Sequence, residues 1–376
     1  MSVIKNARIF NGEVFTPLTA VRYEGGLIKE LYTAYDGDDA IDAKGAIRSP
    51  GFVDTHIHGS FGTDVLKPGG TDYIADHFPS VGTTSYCPTN ATDTFEHINA
   101  FLGEVKKAMK RTNGTRVLGA HIEGPFFSIA NRGAHATHML KDPTIENYKE
   151  MVGEYDDAVL RVSLAPEKTG GMELITYLVN RGKYVSIAHT DSMAKDVEEA
   201  IGKGATISTH TFNGFFPMHH RQENGIAAVL TDDRIICEFI PDLQHINKYA
   251  ARLILRSKGF EKTFICSDAL EPGQMGDGIY QLAGSRVTVI DHVARLDDGR
   301  LAGSTICLLD GIRNLVNIIG IPLEKALKLA TINPANSLGL TDIGRIKPGA
   351  KADFVLLSDD LVLQKTIIRG VEEYSI

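Results

Sequence analysis

The chain has 376 residues, 43% of them hydrophobic and 23% charged, which excludes a disordered or fibrous polypeptide and suits one large domain with a smaller companion. Its formal net charge of -8 comes without any Lys/Arg block, which argues against a nucleic-acid surface but permits a small anionic ligand at one local basic group. The four cysteines lie far apart, the N-terminus lacks a signal-like apolar stretch, and no apolar run is long enough to span a bilayer; the expectation is a reduced, cytoplasmic protein with no membrane segment.

Residues 1–49 read as short strands at 3–10, 20–23, 27–32 and 40–42, with a turn at Asn11-Gly12. The other end is similar: a turn over 344–349 precedes strands at 352–357 and 363–368. These β-rich ends predict a small β-sandwich domain built from 1–49 and 346–376, around a different middle over 50–345. In that middle, apolar β-branched runs at 51–56, 83–87, 116–121, 160–164, 184–188, 206–209, 235–240 and 263–266 alternate with helical periodicity, as at 94–109, 171–181, 194–201 and 246–255. Eight strands alternating with helices predict an α/β fold, a (β/α)8 TIM-type barrel, whose chemistry gathers at the C-terminal strand ends. Further helices are expected at 302–320 and 323–330.

The third run ends in His121-Ile122-Glu123 and is stopped by Gly124-Pro125, because Pro cannot donate to a sheet ladder and Gly permits a sharp turn. Glu123 is thereby left at the strand tip. The first run carries Asp54-Thr55-His56-Ile57-His58; residues two apart on a strand point the same way, so both imidazoles reach one point in the barrel mouth. The fifth ends with His189, the sixth with His210 and the eighth with Asp268. Singly, each is equally well explained as a hydrogen-bonded histidine or a loop acid. Together, four imidazoles and two carboxylates on one rim suit Zn2+ or Fe2+, with donors enough for two ions and a bridging carboxylate. Such a rim supports hydrolysis by water activated on a divalent ion, with Asp268 placed to move protons.

These residues, in this order, resemble the amidohydrolase superfamily and, within it, the branch that deacetylates N-acetylglucosamine 6-phosphate. The resemblance runs from about residue 48 to 356. It rests on Pro50-Gly51-Phe52-Val53-Asp54-Thr55-His56-Ile57-His58-Gly59, His121-Ile122-Glu123-Gly124-Pro125-Phe126 and Arg132-Gly133-Ala134-His135. Later matches are Ala188-His189-Thr190, Thr209-His210-Thr211-Phe212-Asn213, His219-His220-Arg221, Ser267-Asp268-Ala269 and Leu301-Ala302-Gly303-Ser304. The strand-three glutamate is the discriminating feature, since many relatives use a modified lysine after strand four. Here that strand runs into Ala165-Pro166-Glu167-Lys168, where a surface lysine is the default reading.

The resemblance implies a divalent cofactor, one or two ions per subunit, with Glu123, His189 and His210 holding the main ion and His56 and His58 a second. It implies Asp268 as general acid/base and His135, beside Ala134, as the group that polarises the acetyl carbonyl. Asn213 and the backbone of Gly214 match phosphate-binding positions. Arg221 matches an arginine that reaches the sugar phosphate across a homodimer interface. His245 matches a sugar-hydroxyl contact, and Leu301, Ala302 and Gly303 a segment lying against the substrate. The chain departs from the pattern at Asn213-Gly214 (usually Asn-Ala), at Arg221-Gln222-Glu223-Asn224-Gly225, at Asp242-Leu243-Gln244 and at Asp191-Ser192. All four lie near expected sugar or phosphate contacts, so a related substrate such as N-acetylgalactosamine 6-phosphate stays open, as does a non-catalytic protein on the same fold.

Overall fold

The computed structural model describes residues 2–282 and 285–376. Eight parallel strands form its centre: β1 (Phe52–Ile57), β2 (Thr83–Asn90), β3 (Ala120–Glu123), β4 (Val159–Leu164), β5 (Tyr184–Ile187), β6 (Ile207–Ser208), β7 (Ile236–Phe239) and β8 (Thr263–Ile265). Each pairs in parallel with the next. The ring closes at its C-terminal end through a parallel bridge between Ile57 and Ala269. There the Asp268 N–H donates to the His56 carbonyl and the His58 N–H to the Ala269 carbonyl, both at 2.9 Å. Closure therefore sets Asp268 directly beside the H-x-H pair. Every residue of β1 and β2 is buried, as expected of parallel strands covered on both faces.

Helices Phe95–Ala108, Gly171–Asn180, Ala194–Gly202 and Lys248–Lys258 follow the predicted periodicity, and the side chains of Thr94 and Asn247 cap the first and last. Leu323–Ala330 is also helical. The helix expected at 302–320 instead starts at Leu308, where the Cys307 N–H meets the Asp310 carboxylate at 3.1 Å. Residues 302–304 are extended because other carbonyls capture their amides: Ala302 donates to Ala294 at 3.1 Å and Ser304 to Asp268 at 2.7 Å. Between β8 and this helix lies a three-stranded antiparallel sheet, Gly278–Leu282, Ser285–Ile290 and Val293–Leu296, which the sequence reading did not foresee. Its Val287, Val289 and Leu296 pack on Ala91, Leu270 and Ala302 at the barrel mouth.

The chain ends build two small sheets. One orders Leu27–Tyr32, Ala20–Glu24, Ser2–Lys5 and Ala40–Asp42; the other orders Arg8–Ile9, Ile47–Pro50, Phe354–Leu357, Leu363–Ile368 and Val371–Ser375. The strand expected at 3–10 breaks at Asn6, whose φ of 58° lets its halves join different sheets. Ile4, Val21, Ile28, Phe354 and Ile367 form the core between the sheets.

Arg48 is fully buried, and all three of its guanidinium nitrogens lack hydrogen-bond partners among the described residues. Its Cζ lies 3.8 Å from the Phe354 ring centroid, and burial pushes its pKa down to about 9. Buried, unpaired polar groups cost about 1–3 kcal/mol each, more in sum than the roughly 2 kcal/mol of a desolvated cation–π contact. Arg48→Met is therefore expected to raise the thermal unfolding midpoint; a lower midpoint would show that the guanidinium contributes more than its ring contact.

Candidate metal centre

The strand ends deliver their polar groups to one point. His56 projects from β1 with His58 just beyond it, and Glu123 ends β3. His189, His210 and Asp268 sit two or three residues past β5, β6 and β8. These three take left-handed backbone angles, with φ of 44°, 28° and 49°. That conformation is uncommon for non-glycine residues and costs about 1–3 kcal/mol each.

Glu123 stands between two histidine pairs. Its Oε2 is 3.1 Å from His56 Nε2 and 2.9 Å from His58 Nε2. Its Oε1 is 3.0 Å from His210 Nε2 and 3.5 Å from His189 Nε2. Asp268 Oδ1 lies 3.4 and 3.3 Å from the Nε2 atoms of His56 and His58. All six residues are buried. One ligand atom each from His56, His58, Glu123 and Asp268 falls within a 4.8 Å cluster, a donor set of imidazole and carboxylate that fits Zn2+ or Fe2+.

The outer nitrogens explain why all four Nε2 atoms face inward. Nδ1 contacts the Glu238 carboxylate in His56 (3.0 Å), the Thr89 carbonyl in His58 (3.0 Å), the Asn131 carbonyl in His189 (2.8 Å) and the Asn213 carbonyl in His210 (3.1 Å). A carbonyl or ionised carboxylate only accepts, so each Nδ1 carries the hydrogen and each Nε2 is left for a ligand. His135 is turned the other way. The Thr92 backbone N–H donates to its Nδ1 at 3.2 Å, so in the neutral ring Nε2 carries the hydrogen, 4.0 Å from Glu123 Oε2. Burial, reinforced by His189, holds the His135 pKa well below the usual imidazole range, so the ring is neutral. In the neutral rings, four Nε2 lone pairs and one Nε2–H thus face the same space.

The field of the site is negative. Burial opposes ionisation of Glu123, but His56, His189 and His210 outweigh it and hold its carboxyl well below the usual range. Burial also opposes charge on His58, yet Asp268 and Glu123 push its pKa up to about 9. A field that draws a proton there also draws a metal cation, whose binding displaces that proton.

The other expected residues divide. Ala134, His135, Asn213, Gly214, His245, Leu301, Ala302 and Gly303 line the same cleft as the ligand set, whereas Arg221 is exposed outside it. His245 is tied at both nitrogens, to Asp242 at 2.6 Å and to the Ala302 carbonyl at 2.9 Å. Burial opposes its charge, but Asp242 prevails and raises its pKa. The sequence reading overlooked Thr92, Arg161 and Glu238. The last two had a visible signal: each interrupts an apolar strand run, Leu160-Arg161-Val162 and Cys237-Glu238-Phe239.

A profile of the amidohydrolase family matches residues 47–372. The chain is 33% identical to the N-acetylglucosamine-6-phosphate deacetylase of Vibrio furnissii, over 92% of this chain and 88% of that one. It is 32% identical to the N-acetylgalactosamine-6-phosphate deacetylase of Escherichia coli O157:H7, over 85% and 86%. Among solved structures, a mutant N-acetyl-D-glucosamine-6-phosphate deacetylase from Mycobacterium smegmatis, in complex with N-acetyl-D-glucosamine-6-phosphate, superposes with a TM-score of 0.93 at 27% identity, over 100% of this chain and 99% of that one.

Gly124 follows the central carboxylate with φ 98°, and a Cβ there would lie 2.1 Å from Thr92 Oγ1 and 3.1 Å from Thr92 Cα. Gly124→Ala is expected to destabilise the protein by at least about 2 kcal/mol, from backbone strain plus overpacking. Denaturant unfolding checks this, and an unchanged midpoint would contradict the close packing.

Proposed function

This chain belongs to the amidohydrolase family, and we propose that it deacetylates N-acetylglucosamine 6-phosphate to glucosamine 6-phosphate and acetate. The observation that carries the chemistry is the opposed orientation of the imidazoles, four presenting Nε2 to Glu123 and one presenting an Nε2–H. The substrate follows from the relatives, among them the complex with N-acetyl-D-glucosamine-6-phosphate.

A divalent ion in this centre, Zn2+ or Fe2+ by donor type, supplies Lewis acidity and an activated water. Glu123, His189 and His210 would hold one ion, and His56 and His58 a second. Asp268 is ionised: burial opposes this, but His56 and His58 outweigh it. It accepts the proton of the attacking water and returns it to the sugar nitrogen, which leaves poorly unless protonated. His135 donates its Nε2–H to the acetyl oxygen as negative charge builds there. His245, fixed between Asp242 and Ala302, holds the 301–303 segment against the sugar.

Among the described residues, the cleft lining contains no Lys or Arg, yet a phosphate calls for a cation. Asn213 and the Gly214 backbone are assigned to its near side, and Arg221 of a second copy to its charge, which makes the working unit a homodimer. Residues 1–49 with 346–376 are taken as one domain and 50–345 as the other. No helix among the described residues is long and apolar enough to cross a membrane, and a cytoplasmic location suits a phosphorylated substrate. The galacto epimer is a second reading, favoured by the Escherichia coli relative.

Product analysis with a panel of N-acetylhexosamines and their 6-phosphates, on metal-free and metal-restored protein, tests the reaction; turnover indifferent to metal would end it. Asp268→Asn is expected to lower kcat by about 10²–10⁴-fold with metal content unchanged, and near-normal turnover would remove Asp268 from its role. Arg221→Ala is expected to raise KM for the phosphorylated sugar by about 10–100-fold and leave the unphosphorylated sugar little affected. A strictly monomeric active enzyme in sedimentation would contradict the cross-subunit contact.

A further inference from the structure

We propose that Glu238, clamped by Arg161, is a positioning residue that orients both halves of the metal centre through His56 and His210. The inference rests on the metal-centre reading above. Glu238 Oε1 lies 3.0 Å from His56 Nδ1 and accepts the His210 backbone N–H at 3.2 Å. One carboxylate oxygen of β7 thus touches a proposed ligand of each ion. Arg161 holds that carboxylate with both terminal nitrogens, Nη1 to Oε2 at 2.5 Å and Nη2 to Oε1 at 3.3 Å. The guanidinium is itself fixed by Ser186 Oγ at 2.6 Å and Thr209 Oγ1 at 2.8 Å. Arg161, Glu238 and His56 are all fully buried.

The His58, His189 and His210 anchors are main-chain carbonyls, so their imidazoles are set by the fold. His56 alone depends on a side chain for its tautomer. If Glu238 were unable to accept, the His56 proton could move to Nε2 and close that atom to a cation. His56, Glu238 and Cys266 also form a compact group on the far side of the ring. It is an anchor rather than a further metal site, because a cation there would face the Arg161 guanidinium.

The test compares the full-length wild-type chain with two double variants, Arg161→Met/Glu238→Gln and Arg161→Met/Glu238→Leu. Both remove the buried ion pair as a unit, so neither leaves an unpaired charge; they differ in whether an acceptor faces His56. Zinc stoichiometry and affinity are read by competition with a chromophoric chelator and by elemental analysis. The glutamine variant should bind zinc within a few-fold of wild type, and the leucine variant should lose about 10–100-fold in affinity. Should the leucine variant not fold, Glu238→Asp keeps the charge pair but withdraws the acceptor by one methylene, and the same loss is expected. Equal zinc affinity in the glutamine and leucine variants, or unchanged affinity in Glu238→Asp, would overturn the positioning role alone. A wild-type chain that takes up no zinc or iron would overturn the metal-centre reading and this inference with it.

Discussion

An imidazole offers a lone pair from one nitrogen only when its proton is held at the other, and the cleft is built on that constraint. Three of the four anchoring oxygens are carbonyls of Thr89, Asn131 and Asn213, contributed by the end of β2 and by loops beyond β3 and β6. The positions of these carbonyls, more than any attraction among the histidines, decide where the Nε2 atoms point. Left-handed turns at His189, His210 and Asp268 belong to the same arrangement: strain is accepted at the strand ends so that short side chains reach one centre.

Beneath the histidines the barrel interior is polar. Arg161, Glu238, Ser163, Ser186, Thr209 and His121 are buried together and bonded to one another, with His121 Nε2 2.7 Å from Ser163 Oγ and Ser163 Oγ 2.9 Å from Thr209 Oγ1. Burying this layer costs little only because its members are paired. Arg48 shows the contrasting case, a buried guanidinium set against rings alone. A saturated interior has few alternative arrangements, and that rigidity suits a site in which small displacements would separate donors from a shared cation.

The barrel was legible because eight short runs rich in apolar and β-branched residues alternate with helical periodicity, and His56, Glu123, His189, His210 and Asp268 recur at or just past their C-terminal ends. Glu123 was visible for a particular reason: Gly124-Pro125 ends the strand at that residue. The strands Gly278–Leu282, Ser285–Ile290 and Val293–Leu296 were not legible, because their half-exposed alternation is weaker than the buried runs around them. Residues 302–307 were misread as the start of a helix because the amides of Ala302 and Ser304 donate to the Ala294 and Asp268 carbonyls, partners set by the tertiary fold. The tautomers of His56 and His135 could not be read either, since they depend on Glu238 and Thr92, both distant from them in sequence.

Strand Ile47–Pro50 lies between Arg8–Ile9 and Phe354–Leu357. Translation proceeds at about 5–20 residues per second, so on the ribosome this early strand waits tens of seconds for its late neighbour. Throughout that interval it presents an unpaired edge, the kind of surface that recruits foreign strands. A polypeptide truncated before residue 354 therefore lacks the partner strand of Ile47–Pro50, and that sheet cannot be completed.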